Sequence, residues 1–536
     1  MALDVVDETG QPAGTVAGFT AHGSAEPRGQ SAVPLSVLFE GRFGRMFRDP
    51  SIKIVEHTDN ALIHLGKTMR EPAGAGPEED NQNLPAAHTY LGQFVDHDIT
   101  FDPTSLQQQV NDPDALTDFR TPRYDLDSLY GRGPDDSPYL YEWTDPRFRG
   151  IKLLAGRNPD SDVDGTPLTR QDLPRNEQGR ALIGDPRNDE NIIISQLHLA
   201  FIKLHDRVVD QIARLKLPDG QPRFTGRRLF EEARRWVRWH YQWMVVHDFL
   251  ERVCGVAVVD SILKNEGAPT GPTVELQFYQ PKEQPFMPIE FSAAAFRFGH
   301  SMIRASYDLN DSVLEVPTFV DDPVAAGPFG HLGGFRRLPG GWTIKWRSFV
   351  SIGGSTPQLS RKLNTRLTKP LQLLPPGLGT PRRELAVLNL LRGKARSLPT
   401  GQSVARKMGI TPLTTQQLGL GAFVPQTLTA AQAAALSEDT PLVLHPQGGG
   451  DRPPARCPPR PGRWPHRGRG ADRPPRRRPD LVPPHGAHLE ATGPGRPGPD
   501  RSARRHHPGR PAPLRHPLTG GGEAVGHRAA PLSRAR

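Results

Sequence analysis

From Asp451 to Arg536 only 8 of 86 residues are Val, Leu, Ile, Met, Phe, Tyr or Trp. A segment that poor in large apolar side chains cannot offset the cost of ordering its backbone, about 1–2 kcal/mol per residue. Whatever this chain folds into is therefore built from the residues before about 441, which hold enough Leu, Ile, Val and Phe for a large core. The stretch 442–536 also carries 19 Arg, no Lys and 6 acidic residues, a net +13, whereas the whole chain is only +9, so 1–441 is at −4. The basic balance belongs to the tail, and no nucleic-acid partner is expected of the folded part.

Arg without Lys, mixed with Pro, Gly, Ala and His, is what GC-rich codons yield out of frame. Read from the second nucleotide of permitted codons, 442–449 can spell WFYILKEA. In the same register, 463–483 can spell GGRIVAEVLIGLLAADPTSY. Both peptides are apolar and helical in pattern. The hypothesis is that the frame changes near Pro441, so that 442–536 is a disordered frameshift product. The rival is a genuine Arg-rich tail. Resequencing the gene decides: an intact frame through codon 442 and beyond refutes the shift.

Residues 1–45, rich in Gly, Ala and Ser, read as an N-terminal arm, and 46–441 as the catalytic domain. Asp4, Asp7 and Glu8 leave no basic, then apolar, leader near the start, so no signal peptide is expected; cytoplasmic and leaderless secreted locations both stay open. No apolar run of 18 residues exists, so no membrane span is expected. Cys254 and Cys457 make neither a disulfide framework nor a zinc set. Cys254, in an apolar helical stretch, reads as a small buried hydrophobe.

Apolar spacing predicts helices over 84–99, 193–215, 227–253, 291–306, 384–392 and 401–407. In the second, Ile193, Leu197, Phe201, Leu204 and Val208 form the stripe. Strand-like alternation is confined to 341–352. The polar, Pro- and Asp-rich stretch 104–150 reads as a long loop of the kind that usually has a function. The class is mainly α.

Five segments carry chemistry. Gln93, Asp96 and His97 fall within about two helical turns and fit one pocket, while Asp98 points elsewhere. Thr121, Arg123, Asp125 and Asp127 place oxygen donors at alternate loop positions, which suits a hard cation once Asp98 adds a third carboxylate. Taken alone, that spacing also suits turn-forming Asx residues. Arg187 and Glu190, three apart before a long helix, can face one pocket or simply cap the helix. Arg297, Gly299 and His300 lie in an expected helix that Gly299 weakens, as though something flat approaches the backbone there. A core histidine bonded to a carbonyl is the plainer alternative. Arg392 to Gln402 forms a turn and a helix start. His198, His205, His240 and His247 read as structural.

In this order and at these separations the segments resemble the animal-type haem peroxidases of the peroxidase–cyclooxygenase superfamily, in a bacterial-like version, over about 30–440. The resemblance implies a mainly α fold with little β, holding haem b between a distal and a proximal helix. It makes His97 the distal histidine, Gln93 the distal glutamine and Arg187 the distal arginine. Asp96 and Glu190 match the carboxylates that can esterify haem. His300 matches the proximal iron ligand and Arg297 a propionate partner. Asp98, Thr121, Arg123 (by its carbonyl), Asp125 and Asp127 match a Ca²⁺ site. Gln402 stands where relatives have an asparagine bonded to the proximal histidine. Asn191 follows Glu190 where the mammalian neutrophil enzyme has a methionine, so no sulfonium link is expected. Arg297 occupies the place of the cyclooxygenase radical tyrosine. The implied activity is reduction of hydrogen peroxide with oxidation of phenols or halides. Alternatives on the same scaffold are a fatty-acid dioxygenase and a non-catalytic adhesion-type protein. The oligomeric state is not legible.

Overall fold

The computed structural model describes residues 41–72, 74–101, 117–118, 120–161, 167–264, 273–281, 285–374, 383–418 and 428–442. Residues 1–40 and 443–536 lie outside the described residues, and so does the frame hypothesis. The end of the expected arm is part of the folded body. Gly41–Gly44 forms a strand between Thr117–Asp118 and Met287–Pro288. A Cβ at Gly41 would fall 2.3 Å from the Arg120 carbonyl, so the close pairing depends on glycine.

The architecture is mainly α. Its principal helices are α1 (Asp59–Thr68), α2 (Ala86–Ile99), α3 (Ile192–Ile212), α4 (Gly226–Met244), α5 (Leu385–Ala395), α6 (Gly401–Lys407) and α7 (Ala430–Glu438). Strands are short and paired in twos and threes. The alternation at 341–352 makes no strand. Gly341 turns the chain at φ 75°, Trp346–Ser348 forms a 3-10 turn, and Trp342, Ile344 and Phe349 are core anchors. Pairing occurs instead between the polar Asp80–Pro85 and Leu359–Arg361.

α2 is the axis of the molecule. Twelve of its fourteen residues are buried. Phe94 stacks on Phe201 of α3 at 4.6 Å and meets Tyr241 of α4 edge-on at 6.0 Å. Such aromatic contacts add to the area buried and fix relative orientation. A Cβ at Gly92 would lie 3.0 Å from Phe249, so glycine allows the close approach.

α3 begins where the Asn191 side chain accepts from Ile194 N at 2.9 Å, an N-cap. Its buried face runs through His198, Phe201, Ile202, His205, Val209 and Ile212. Leu204, expected in the stripe, is exposed, because the stripe is rotated toward the two histidines.

Two further expectations are corrected. Cys254 is exposed, since the helix Glu251–Cys254 ends there against Gly255 at φ 91°. The helix expected over 291–306 is a π turn, Phe291–Ala295, followed by a 3-10 turn, Phe296–Met302, with extended backbone from Ile303. Residues three apart share a face of a 3-10 turn, which puts Arg297 and His300 on one side. Among the described residues no helix is long and apolar enough to cross a membrane.

Candidate active site

The C-terminal half of α2 presents its polar residues to the turn before α3. Asp185, fully buried, caps that turn and accepts from Arg187 N at 2.9 Å. Burial alone would raise the Asp185 carboxyl, but Arg187 and Arg120 overcome it and hold it well below the usual carboxylate range. Arg187 donates through Nε to Asp185 at 3.1 Å and through Nη2 to Asp185 at 2.8 Å. Nη2 also reaches the carbonyls of His97, at 3.1 Å, and Thr100. The guanidinium lies over the Phe101 ring at 4.9 Å. Its Nη1 has no hydrogen-bond partner among the described residues.

His97 Nδ1 meets Asn188 Oδ1 at 2.8 Å, and Asn188 Nδ2 meets His198 Nδ1 at 3.0 Å. His97 Nε2 stands 3.9 Å from Glu190 Oε1, beyond hydrogen-bond range. Gln93 Nε2 donates to that same Glu190 oxygen, and Asn191 Nδ2 donates to Gln93 Oε1 at 3.2 Å. Burial first, then the Arg187 charge, lowers His97 to about 4, so the ring is neutral at ordinary pH. Burial pushes Glu190 up to about 7; Arg187 opposes this and Asp96 adds to it.

Two contacts fix the turn from behind. Buried Arg175 bridges Asp172 and Asp189, meeting the latter at 2.7 and 2.8 Å. Gly334 N donates to the Glu190 carbonyl at 2.9 Å, and a Cβ there would fall 1.8 Å from the Asp189 carbonyl.

On the 3-10 turn, Asn389 Nδ2 of α5 donates to His300 Nδ1 at 3.1 Å, which puts the proton of the neutral ring on Nε2, and Nε2 has no partner among the described residues. Burial first, then Arg297, lowers His300 to about 3, with Arg392 adding and Asp96 opposing. Asp96 thus acts on both imidazoles. Arg297 acts on both His300 and Glu190. The expected distal and proximal groups thus feel common charges, although they lie about 100 to 200 residues apart in the chain. A Cβ at Gly299 would meet only Met302 Cε, at 3.6 Å, which leaves room beside the backbone. Two neutral imidazoles, that room and a nearby guanidinium fit a haem once the Asn389 amide turns its oxygen to His300 Nδ1 and so frees Nε2 of its proton.

The expected partner of His300 is corrected. Gln402, early in α6, donates to Thr440 Oγ1 at 2.6 Å and to the Ser437 carbonyl at 3.1 Å, and it accepts from Thr440 N at 2.8 Å. It ties α6 to the end of α7 and makes no bond to His300. Asn389 does so because α5, not α6, packs against the π turn before His300. The signal was present as a lone amide in the apolar run Leu385–Leu391, one turn before Arg392. Asn188 also went unnoticed, and His198 is not merely a core histidine.

On the other side of α2, Asp98 accepts from Leu126 N at 3.2 Å and Ser128 Oγ at 3.1 Å. Leu126 is buried at φ 61°, an unusual conformation for a branched residue, and it turns Asp125 and Asp127 toward Asp98. Oxygens of the three carboxylates lie within 4.8 Å of one another. Asp125 Oδ1 and both Asp127 oxygens are buried without hydrogen bonds, though Arg120 Nε stands 3.5 Å from Asp127. Burial, aggravated by Asp125, raises Asp98 to about 8. Thr121 Oγ1 donates to Asp125 at 2.7 Å, and the Arg123 side chain points to solvent. A hard dication suits this donor set.

A family model described as animal haem peroxidase matches residues 106–433. A peroxidase-like protein of Margaritifera margaritifera is 29% identical over 289 residues, 46% of this chain and 35% of that protein. Peroxidasin of Drosophila melanogaster is 23% identical, over 45% of this chain and 14% of its own. Thyroid peroxidase of Sus scrofa is 26% identical, over 55% and 30%. The matched region spans about a third or less of each of these relatives. Peroxidase A of Dictyostelium discoideum superposes with a TM-score of 0.44 at 15% identity, over 76% of this chain and 81% of that one. For the fatty acid alpha-dioxygenase of Oryza sativa the TM-score is 0.45 at 16% identity, over 74% and 69%.

Proposed function

This chain belongs to the animal haem peroxidase family, and from that premise we propose that it reduces hydrogen peroxide at the expense of a small donor such as a phenol or a halide. The observation that carries the reading is the pair of neutral imidazoles, His97 buried and His300 half-buried, each with Nδ1 beside an asparagine amide, Oδ1 of Asn188 for His97 and Nδ2 of Asn389 for His300.

When bound, haem supplies the redox centre between peroxide and donor. His300 Nε2 would hold the iron, with the Asn389 amide turned so that its Oδ1 accepts from Nδ1. Arg297 would meet a propionate, and Asp96 and Glu190 are the carboxylates available for ester links. His97 Nε2 would hold the proton taken from the near peroxide oxygen and pass it to the far one, while the haem would supply the electrons. Arg187 Nη1 faces the negative charge that develops on the leaving oxygen. Gln93, bonded to Glu190 and Asn191, orders water or halide beside His97. A Ca²⁺ ion held by Asp98, Asp125 and Asp127, with Thr121 and the Arg123 carbonyl, would fix the α2 end that carries His97.

The test is haem titration with peroxide-driven phenol oxidation. His97→Ala is expected to keep a normal Soret band and lose about 10²–10⁴ in the peroxide-dependent rate. His300→Ala is expected to lose stable haem binding. An undiminished rate in the first variant, or a normal axial-ligand spectrum in the second, overturns the assignment. Oxygen uptake with a polyunsaturated fatty acid and no peroxide would replace the reading with a dioxygenase.

A further inference from the structure

Asn188 is fully buried, and so is its partner His198. We propose that Asn188 is a positioning residue that, backed by His198, keeps the His97 proton on Nδ1 and leaves Nε2 bare. The inference rests on reading His97 as the peroxide base.

An amide has a donor end and an acceptor end. Here Oδ1 faces His97 Nδ1 at 2.8 Å, so that nitrogen carries hydrogen and donates. Nδ2 donates to His198 Nδ1 at 3.0 Å, so the His198 proton sits on its other nitrogen. In the opposite His97 tautomer, two lone pairs would face each other across 2.8 Å. Turning the amide over would relieve that clash but set its oxygen against the bare Nδ1 of His198. The two rings and the amide therefore change together or not at all. A buried polar chain of this kind is costly to leave half satisfied, and the cost enforces the register.

The amide is also held in place. Asn188 N donates to the Asp185 carbonyl at 3.1 Å, Arg175 grips the next residue, and Gly334 closes on the one after. Asn188 touches neither peroxide nor haem in this arrangement. It acts through His97, much as an outer partner fixes the tautomer of a catalytic imidazole.

Neutron diffraction on the full haem-loaded chain reads the proton directly. Deuterium is expected on Nδ1 of His97 and on Nε2 of His198; deuterium on Nε2 of His97 overturns the proposal. In Asn188→Asp the carboxylate can accept from both rings, so the His97 deuterium is expected to stay and the His198 deuterium to move to Nδ1. A role confined to packing would move neither. In the peroxide-driven assay Asn188→Leu is expected to lose roughly 10–100-fold in the peroxide step, with Asn188→Asp restoring most of it and donor KM unchanged in both. If His97→Ala is as fast as the parent, the peroxidase reading has failed. If His97→Ala is slow and Asn188→Leu is not, only this inference has failed. Should Asn188→Leu not fold, the parent protein's deuterium positions still decide.

Discussion

Asn389 lies near the middle of α5 with its amide on His300, while Gln402 spends both ends of its amide on Thr440. These two amides have separable consequences. Asn389→Ala is expected to weaken haem retention by roughly 10–100-fold. Gln402→Ala is expected to leave haem affinity alone and to lower Tm, because it unties α6 from α7. Haem competition and thermal melts of both variants check this, and the reverse pattern would restore Gln402 as the proximal partner. His205 offers a pH test. Tyr130 Oη donates to its Nδ1 at 3.0 Å, and its Nε2 donates to the Ile151 carbonyl at 2.8 Å. Burial lowers it to about 4. Above about pH 6.5 both folded and unfolded states hold it neutral, and it contributes no slope. As pH falls from there toward 4, the unfolded chain takes up a proton that the folded chain refuses, so stability is lost at up to about 1.4 kcal/mol per pH unit. Denaturation at pH 7 and pH 5 should therefore show a steeper loss in the parent than in His205→Gln. Equal slopes would exclude the group.

At the scale of elements, the turn before α3 is the part most strongly determined by its surroundings. Asp185 caps it, Arg175 anchors it, and the 333–335 loop is hydrogen-bonded across its back. Arg175 is the critical link because Asp172, Asp189 and Arg175 are all buried. Replacing Arg175 with Met leaves two buried carboxylates without their cation, a change that costs about 3–5 kcal/mol. Urea denaturation should show that loss. If it is under 1 kcal/mol, another group is compensating these carboxylates. The periodicity of α3 and α4 was legible because each buries one face along its length. The π and 3-10 turns around His300 were not, since apolar spacing over 291–306 suits an α-helix equally well. The π turn is the part that packs against α5.

For the molecule as a whole, α2 couples two sites. His97 and Asp98 are adjacent in sequence, yet one faces Asn188 and the other faces Asp125 and Asp127. A cation held on one side of the helix would therefore steady His97 on the other. Removing Ca²⁺ with a chelator is expected to lower Tm by about 5 °C, with recovery on adding Ca²⁺ but not Mg²⁺, which holds its waters tightly and is rarely bound by all-protein oxygen sites. An unchanged Tm, with no calcium by elemental analysis, would remove the site.

Sequence by itself determined the helical class and the order of the chemical segments, because periodicity and local spacing are properties of neighbouring residues. Tertiary structure alone decided which amide serves His300, what stands behind His97 and which face of α3 is buried. Those outcomes depend on contacts between residues tens to hundreds of positions apart, made or refused by the packing of whole helices, and no local pattern encodes them.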